Sequence, residues 1–154
     1  MAAGAVALAG CGGGSSQQST STKTSAAQKP LAQPQAKVSF IAPKNGGTIP
    51  GTVIARVRVT GIKLDPAAVG KPAKRGEGHL HFSMDGGKYD LPKYSGANGR
   101  LAVKLGVQGK YSPSVTPTIT YKGLPAGNHK LEVYVANNDH TNAGPNAEVQ
   151  FTTE

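Results

Sequence analysis

Four histidines carry most of the chemistry this sequence can offer. His79 and His81 stand two residues apart in His79-Leu80-His81-Phe82-Ser83-Met84. On a β-strand, residues two apart point to the same face, about 6.5–7 Å from each other. With Leu80, Phe82 and Met84 turned to a core, the histidine face is expected to be the outer one. Two imidazoles at that spacing can chelate one ion. Asp139 and His140 follow in Asn137-Asn138-Asp139-His140-Thr141-Asn142. If the strand that begins at His79 and the strand that ends at Ala136 share one end of the molecule, the two histidine-bearing segments come together. His79, His81, Asp139 and His140 would then meet as three imidazoles and a carboxylate, a donor set for copper or zinc. Two other readings stay open. Outward histidines pair across strands or sit in solvent, and an Asn/Asp-rich run organises a turn through its own backbone. His129 lies seven residues from the far end of its strand, roughly 23 Å away. It is expected to hydrogen-bond the Gly123–Gly127 turn rather than share a site with His140.

The remaining inventory argues against catalysis. Only eight Asp/Glu and one cysteine are present. The chain has no Gly-x-Ser-x-Gly elbow, no Gly-x-x-x-x-Gly-Lys phosphate loop and no His-Glu-x-x-His pair. Asp85 and Asp90 could form a carboxylate pair, but Asp85-Gly86 reads first as a turn. The expectation is a protein that binds and does not catalyse.

Strands must position these residues, because the apolar pattern has period two. Lys37 to Ile41 reads as a first short strand. Val53, Ala55, Val57 and Val59 alternate with Ile54, Arg56, Arg58 and Thr60 in a second. His79 to Met84 is a third, closed by the hairpin-type turn Asp85-Gly86-Gly87 with a short return over Tyr89–Leu91. Leu101, Val103 and Leu105 alternate in a fourth. Thr118–Lys122 and His129–Ala136 flank the turn Gly123-Leu124-Pro125-Ala126-Gly127, and Ala147, Val149 and Phe151 alternate in the last. No segment carries a helical stripe. Seven or eight short strands with turn signals about every ten residues predict an all-β, immunoglobulin-like antiparallel β-sandwich.

The 154 residues suffice for one domain, and the N-terminus reads as something else. Residues 1–10 are expected to be a lipoprotein signal peptide, shortened at its start since no Lys or Arg precedes the small apolar stretch. Leu8-Ala9-Gly10-Cys11 matches the bacterial lipobox, so Cys11 is the expected lipidation site, and this accounts for the single cysteine. Residues 11–36 make a Ser/Gln/Ala/Gly-rich linker that buries too little apolar surface to fold. Its 25 residues after Cys11 would span about 25–30 Å as a flexible coil. Residues 37–154 form the domain. The expected location is extracytoplasmic, on the cell membrane or outer membrane, through the lipidated Cys11.

Within the domain, 15 Lys/Arg face 8 Asp/Glu. Arg56, Arg58, Lys63, Lys71, Lys74 and Arg75 concentrate positive charge in one stretch of sequence, a surface for anionic lipid headgroups or envelope polymers. Nucleic acid is not an expected partner, because few aromatics are available for stacking. The chain is expected to act as a monomer.

Three segments carry resemblances. Gly123-Leu-Pro-Ala-Gly127 followed by His129-Lys-Leu-Glu-Val-Tyr-Val-Ala136 resembles the penultimate strand of fibronectin-type and immunoglobulin-like domains. His79-x-His81, Asp85-Gly86, Gly127-x-His129 and Asp139-His140 together resemble uncharacterised bacterial extracytoplasmic domains, often lipoproteins. That resemblance implies fold and location and brings no agreed activity. The ending Leu124-Pro-Ala-Gly127, Asp139-His140, Gly144 and Phe151 is similar to periplasmic copper-resistance proteins of the CopC type, which implies Cu(II) binding through the Asp-His pair. The chain departs from them in having Cys11, not histidine, at the expected mature N-terminus, and in lacking a methionine-rich segment. The leading expectation is a membrane-anchored, non-enzymatic binding module. A copper- or zinc-binding protein and a purely structural envelope module are the alternatives.

Overall fold

A computed structural model describes residues 30–90 and 111–154. Nine strands and no helix occur among them: β1 (Lys37–Ala42), β2 (Gly47–Ile49), β3 (Val53–Thr60), β4 (Lys63–Leu64), β5 (Glu77–Met84), β6 (Ser112–Ser114), β7 (Thr118–Tyr121), β8 (Gly127–Ala136) and β9 (Asn142–Thr153). They form two sheets, β1-β3-β7 and β2-β9-β8-β5-β4, with β6 also paired to β5. The longer strands are divided in the immunoglobulin-like manner, with β1, β3 and β7 in one sheet and β5, β8 and β9 in the other. The predicted all-β sandwich is the observed fold.

Alternation builds the core. Val53, Ala55 and Val57 from β3, with Ile119 and Tyr121 from β7, face Leu80, Phe82 and Met84 from β5 and Leu131, Val133 and Val135 from β8. Each is almost fully buried, which stabilises by roughly 1.5–3 kcal/mol per large aliphatic side chain. The short strands β2, β4 and β6 were not predicted. Two or three residues carry no alternation, and only their partners in β9 and β5 define them.

Two expectations change around β5. Asp85-Gly86-Gly87 does turn, with all three residues at positive φ, but no return strand follows over Tyr89 and Asp90. Asp90 instead folds back, its carboxylate accepting from the Met84 N–H (2.7 Å) and the Ser112 hydroxyl (2.6 Å). Buried carboxylate bonding, not strand pairing, closes this corner. Leu91 and the predicted strand at Leu101–Leu105 lie outside the described residues, as do Cys11 and the linker up to residue 29.

Packing begins before β1. Gln33 is buried, and its side chain donates to the Lys74 and Glu77 carbonyls and to Asn137 Oδ1 while accepting from the Gly76 N–H. Its N–H donates to the Ala143 carbonyl (3.1 Å). This segment lies so close to Gly61, at φ +76°, that a Cβ there would strike the Gln35 backbone.

Candidate metal centre

The site forms because β5 and β8 run antiparallel, with His79 opposite Ala136 and His81 opposite Tyr134. The start of β5 therefore lies beside the end of β8, and the β8–β9 turn carries His140 over it. β5 approaches unusually closely here: a Cβ on Gly78 would collide with the Ala136 carbonyl oxygen. Glycine at that position lets His79 sit under the turn.

The turn is held by its own polar side chains. The Asn137 N–H donates to the Thr141 carbonyl, and the His140 N–H donates to the Asn137 carbonyl. Asn137 Nδ2 donates to Thr141 Oγ1 and to the Leu31 carbonyl. His140 has φ +67°, a left-handed conformation uncommon for a residue with a Cβ. The fixed turn thus imposes backbone strain at the residue whose imidazole it delivers.

His79 Nε2 lies 2.8 Å from His81 Nε2 and 2.9 Å from His140 Nδ1, and the third edge of this triangle is 3.4 Å. One N–H can bridge from one nitrogen to the other two, but their lone pairs then face each other. A cation satisfies all three at once. The point equidistant from the three atoms is about 1.8 Å from each, so all three nitrogens could reach one ion at the ~2.0–2.1 Å of a metal–imidazole bond. The three histidines are positioned to hold a metal ion.

His79 and His81 are both fully buried, which corrects the expectation of an exposed outer face. The alternation is as read, with Leu80 and Phe82 inward and the histidines outward. Tyr111, His140 and Tyr134 cover them: the Tyr111 ring stacks on His81 with centroids 3.8 Å apart, and His140 packs edge-on to His79. Burial disfavours the imidazolium. It pushes His79 down to about 3, helped by repulsion from His140, and His81 to about 2, helped by His79 and His140. His140 is lowered by burial against an opposing pull from Asp139. All three rings are neutral near pH 7, the form that ligates a metal.

Outside the triad, His81 Nδ1 is 2.7 Å from the Tyr134 hydroxyl. Burial pushes that phenol up to about 12, so it stays protonated. With His81 ligating through Nε2, Nδ1–H donates to the Tyr134 oxygen, which sets the tautomer and the ring orientation. His79 Nδ1 and His140 Nε2 are buried without a hydrogen-bond partner among the described residues.

Asp139, expected as the carboxylate ligand, stands apart from the triad. Its Oδ1 accepts from the Thr141 N–H (3.1 Å) and hydroxyl (2.6 Å), the turn-forming role its sequence context allowed. Its contribution at the triad is its charge. Sequence reasoning missed Tyr111, Tyr134, Asn137 and Gln33 as supports. Tyr134 was visible as an outward tyrosine between inward Val133 and Val135; the register that sets it opposite His81 was not.

His129 is elsewhere. Nε2 lies 2.9 Å from the Pro125 carbonyl and 3.0 Å from Thr153 Oγ1, and Nδ1 is 2.7 Å from Asp85 Oδ2. This Thr-His-Asp alignment resembles a catalytic triad in outline and borders a cleft of about 420 Å³. The hydroxyl is nevertheless buried and already donates to the Pro125 carbonyl (2.5 Å), so it is not a free nucleophile. The group clamps the Gly123–Gly127 turn to β9.

The basic residues come from different elements. Arg56 and Arg58 are exposed on β3 in the three-stranded sheet, whereas Lys71, Lys74 and Arg75 are exposed in the loop before β5. Lys74 pairs with Glu77 (2.5 Å) and Lys63 with Asp65 (3.1 Å). No helix among the described residues is long and apolar enough to cross a membrane.

Fold and site together define a β-sandwich with a cluster of three histidines, two buried and one half-buried. No family model matches the chain, and no curated protein matches it. Among solved structures it is similar to the PKD domain of a human protein, at 15% identity and TM-score 0.40, over 84% of this chain and 88% of that one. It is similar to the extracellular domain of a putative one-component system of B. thetaiotaomicron, at 11% identity and TM-score 0.42, over 79% of this chain and 16% of that one. An endo-β-1,4-mannanase of Thermotoga petrophila matches at 15% identity and TM-score 0.38, over 78% of this chain and 20% of the enzyme. The chain thus spans about a fifth of that enzyme. Likenesses this distant carry no functional information.

Proposed function

We propose that this protein is an extracytoplasmic metal-binding protein, lipid-anchored at Cys11, that holds one copper or zinc ion on His79, His81 and His140 without catalysing a reaction. The observation that carries the reading is the triangle of ring nitrogens, from two buried histidines and a half-buried third, with edges of 2.8, 2.9 and 3.4 Å. Imidazole suits both metals, and three ligands leave a coordination position for water or for a donor on a partner that delivers or removes the ion. Location and anchoring are supported by the lipobox at Leu8–Cys11 and the Ser-rich stretch after it.

The test is calorimetric titration of the full chain with Cu(II) and Zn(II) at neutral pH. Stoichiometric 1:1 binding is expected, lost in His79→Ala/His81→Ala and in His140→Ala and retained in Asp139→Ala. No binding, or equal binding by the double variant, overturns the metal reading. For the anchor, Cys11→Ser should move the protein from the salt-washed membrane fraction to the soluble one; retention there refutes lipidation.

A further inference from the structure

Ile41 and Ile54 are the large apolar side chains left exposed among the described residues, at 43% and 46%. Both lie on the outer face of the three-stranded sheet. The alternation that buries Val38 turns Lys37 and Ser39 outward on β1, Ile41 is exposed at the register shift between Phe40 and Ala42, and the alternation that buries Val53, Ala55 and Val57 turns Ile54, Arg56 and Arg58 outward on β3. The register sets Arg58 beside Ser39, and Arg56 beside Ala42 and Thr118. Lys122, exposed, directly follows β7. β1, β3 and β7 contain no Asp or Glu. None of Lys37, Arg56, Arg58 and Lys122 joins an ion pair among the described residues. The other sheet differs: on its outer side Lys130 is paired with Glu132 and Glu148.

We propose that the outer face of the three-stranded sheet docks on an anionic phospholipid membrane. The cations meet the headgroup charge, and the two isoleucines enter the boundary beneath it. A soluble polyanion matches the cations but offers nothing to the isoleucines. His79 and His81 lie on the other sheet and project away from this face, so docking leaves the sheet that carries the histidine cluster on the far side from the membrane. The inference does not depend on metal binding.

The experiment is sedimentation of the full chain carrying Cys11→Ser, which removes any acyl chain, with vesicles of phosphatidylcholine alone or mixed equally with phosphatidylglycerol. Binding to the mixed vesicles only, weakened by salt, is expected. Arg56→Ala/Arg58→Ala should weaken it on the order of twentyfold, about fivefold per cation. Ile41→Ser/Ile54→Ser should weaken it with the salt dependence unchanged, and Lys71→Ala/Lys74→Ala/Arg75→Ala should leave it within about twofold, as expected for residues off the docking face. Circular dichroism confirms that each variant is folded. No binding to mixed vesicles, or equal loss in the loop variant, overturns the proposal. So does binding indifferent to the isoleucine changes and fully competed by soluble polyphosphate, which would make the face a polyanion site.

Discussion

At the scale of single residues, the site rests on nitrogen atoms brought together at a cost that burial and strain both record. His79 and His81 are kept neutral well below the ordinary histidine range. An unfolded chain takes up protons on these residues below about pH 6.5, while the folded protein does not until about 3. The unfolded state therefore binds more protons in that window. The metal-free protein should lose stability as pH falls from 6.5, by at most about 1.4 kcal/mol per pH unit for each histidine. Urea denaturation with chelator present, between pH 7 and 5, would show this, and His79→Leu/His81→Leu should flatten the profile. A flat profile in the unsubstituted protein would contradict it. Tyr134→Phe removes the oxygen that orients His81 and leaves the core untouched. It should weaken metal binding by about 10–100-fold with little change in unfolding midpoint, read by competition against a chelator of known affinity. Unaltered affinity would mean that packing alone orients the ring.

At the scale of elements, the pairing of β5 with β8 matters most. Gly78 precedes His79 where β5 touches the end of β8. Gly78→Ala would drive a methyl into the Ala136 carbonyl and push the strands apart at the site. A loss of about 1–3 kcal/mol in stability is expected, together with weaker metal binding, since the β8–β9 turn would shift relative to His79. Thermal unfolding and titration of the same sample would check both; wild-type affinity would show that the turn follows the strand. The longer strands were legible from alternation, and so was the outward direction of His79, His81 and Tyr134. The two- and three-residue strands were not, because their existence depends on the partner's hydrogen bonds.

At the scale of the whole molecule, the centre links segments distant in sequence. His79 and His81 come from β5, His140 from the β8–β9 turn, and Gln33 ties the entering chain to Asn137 and to the residues leading into β5. An ion that binds only this assembled arrangement stabilises the folded state by mass action, by about 2.7 kcal/mol at a free concentration one hundred times its dissociation constant. Zn(II) should therefore raise the unfolding temperature by several degrees, and His79→Ala/His81→Ala should abolish the shift. A rise of equal size in that variant would place the binding elsewhere.

The sequence by itself determined the sandwich, because a period-two apolar pattern buries one face of each strand wherever the strand ends up. It also determined that His79 and His81 share a face, because side chains alternate along any strand. Only the tertiary structure decided which other residues join them. The register of β5 on β8 set Tyr134 beside His81, and the left-handed turn brought in the His140 imidazole while its own backbone claimed the Asp139 carboxylate. Proximity across strands and turns is set by hydrogen-bond register and backbone angle, and neither is written in the spacing of residues along one segment.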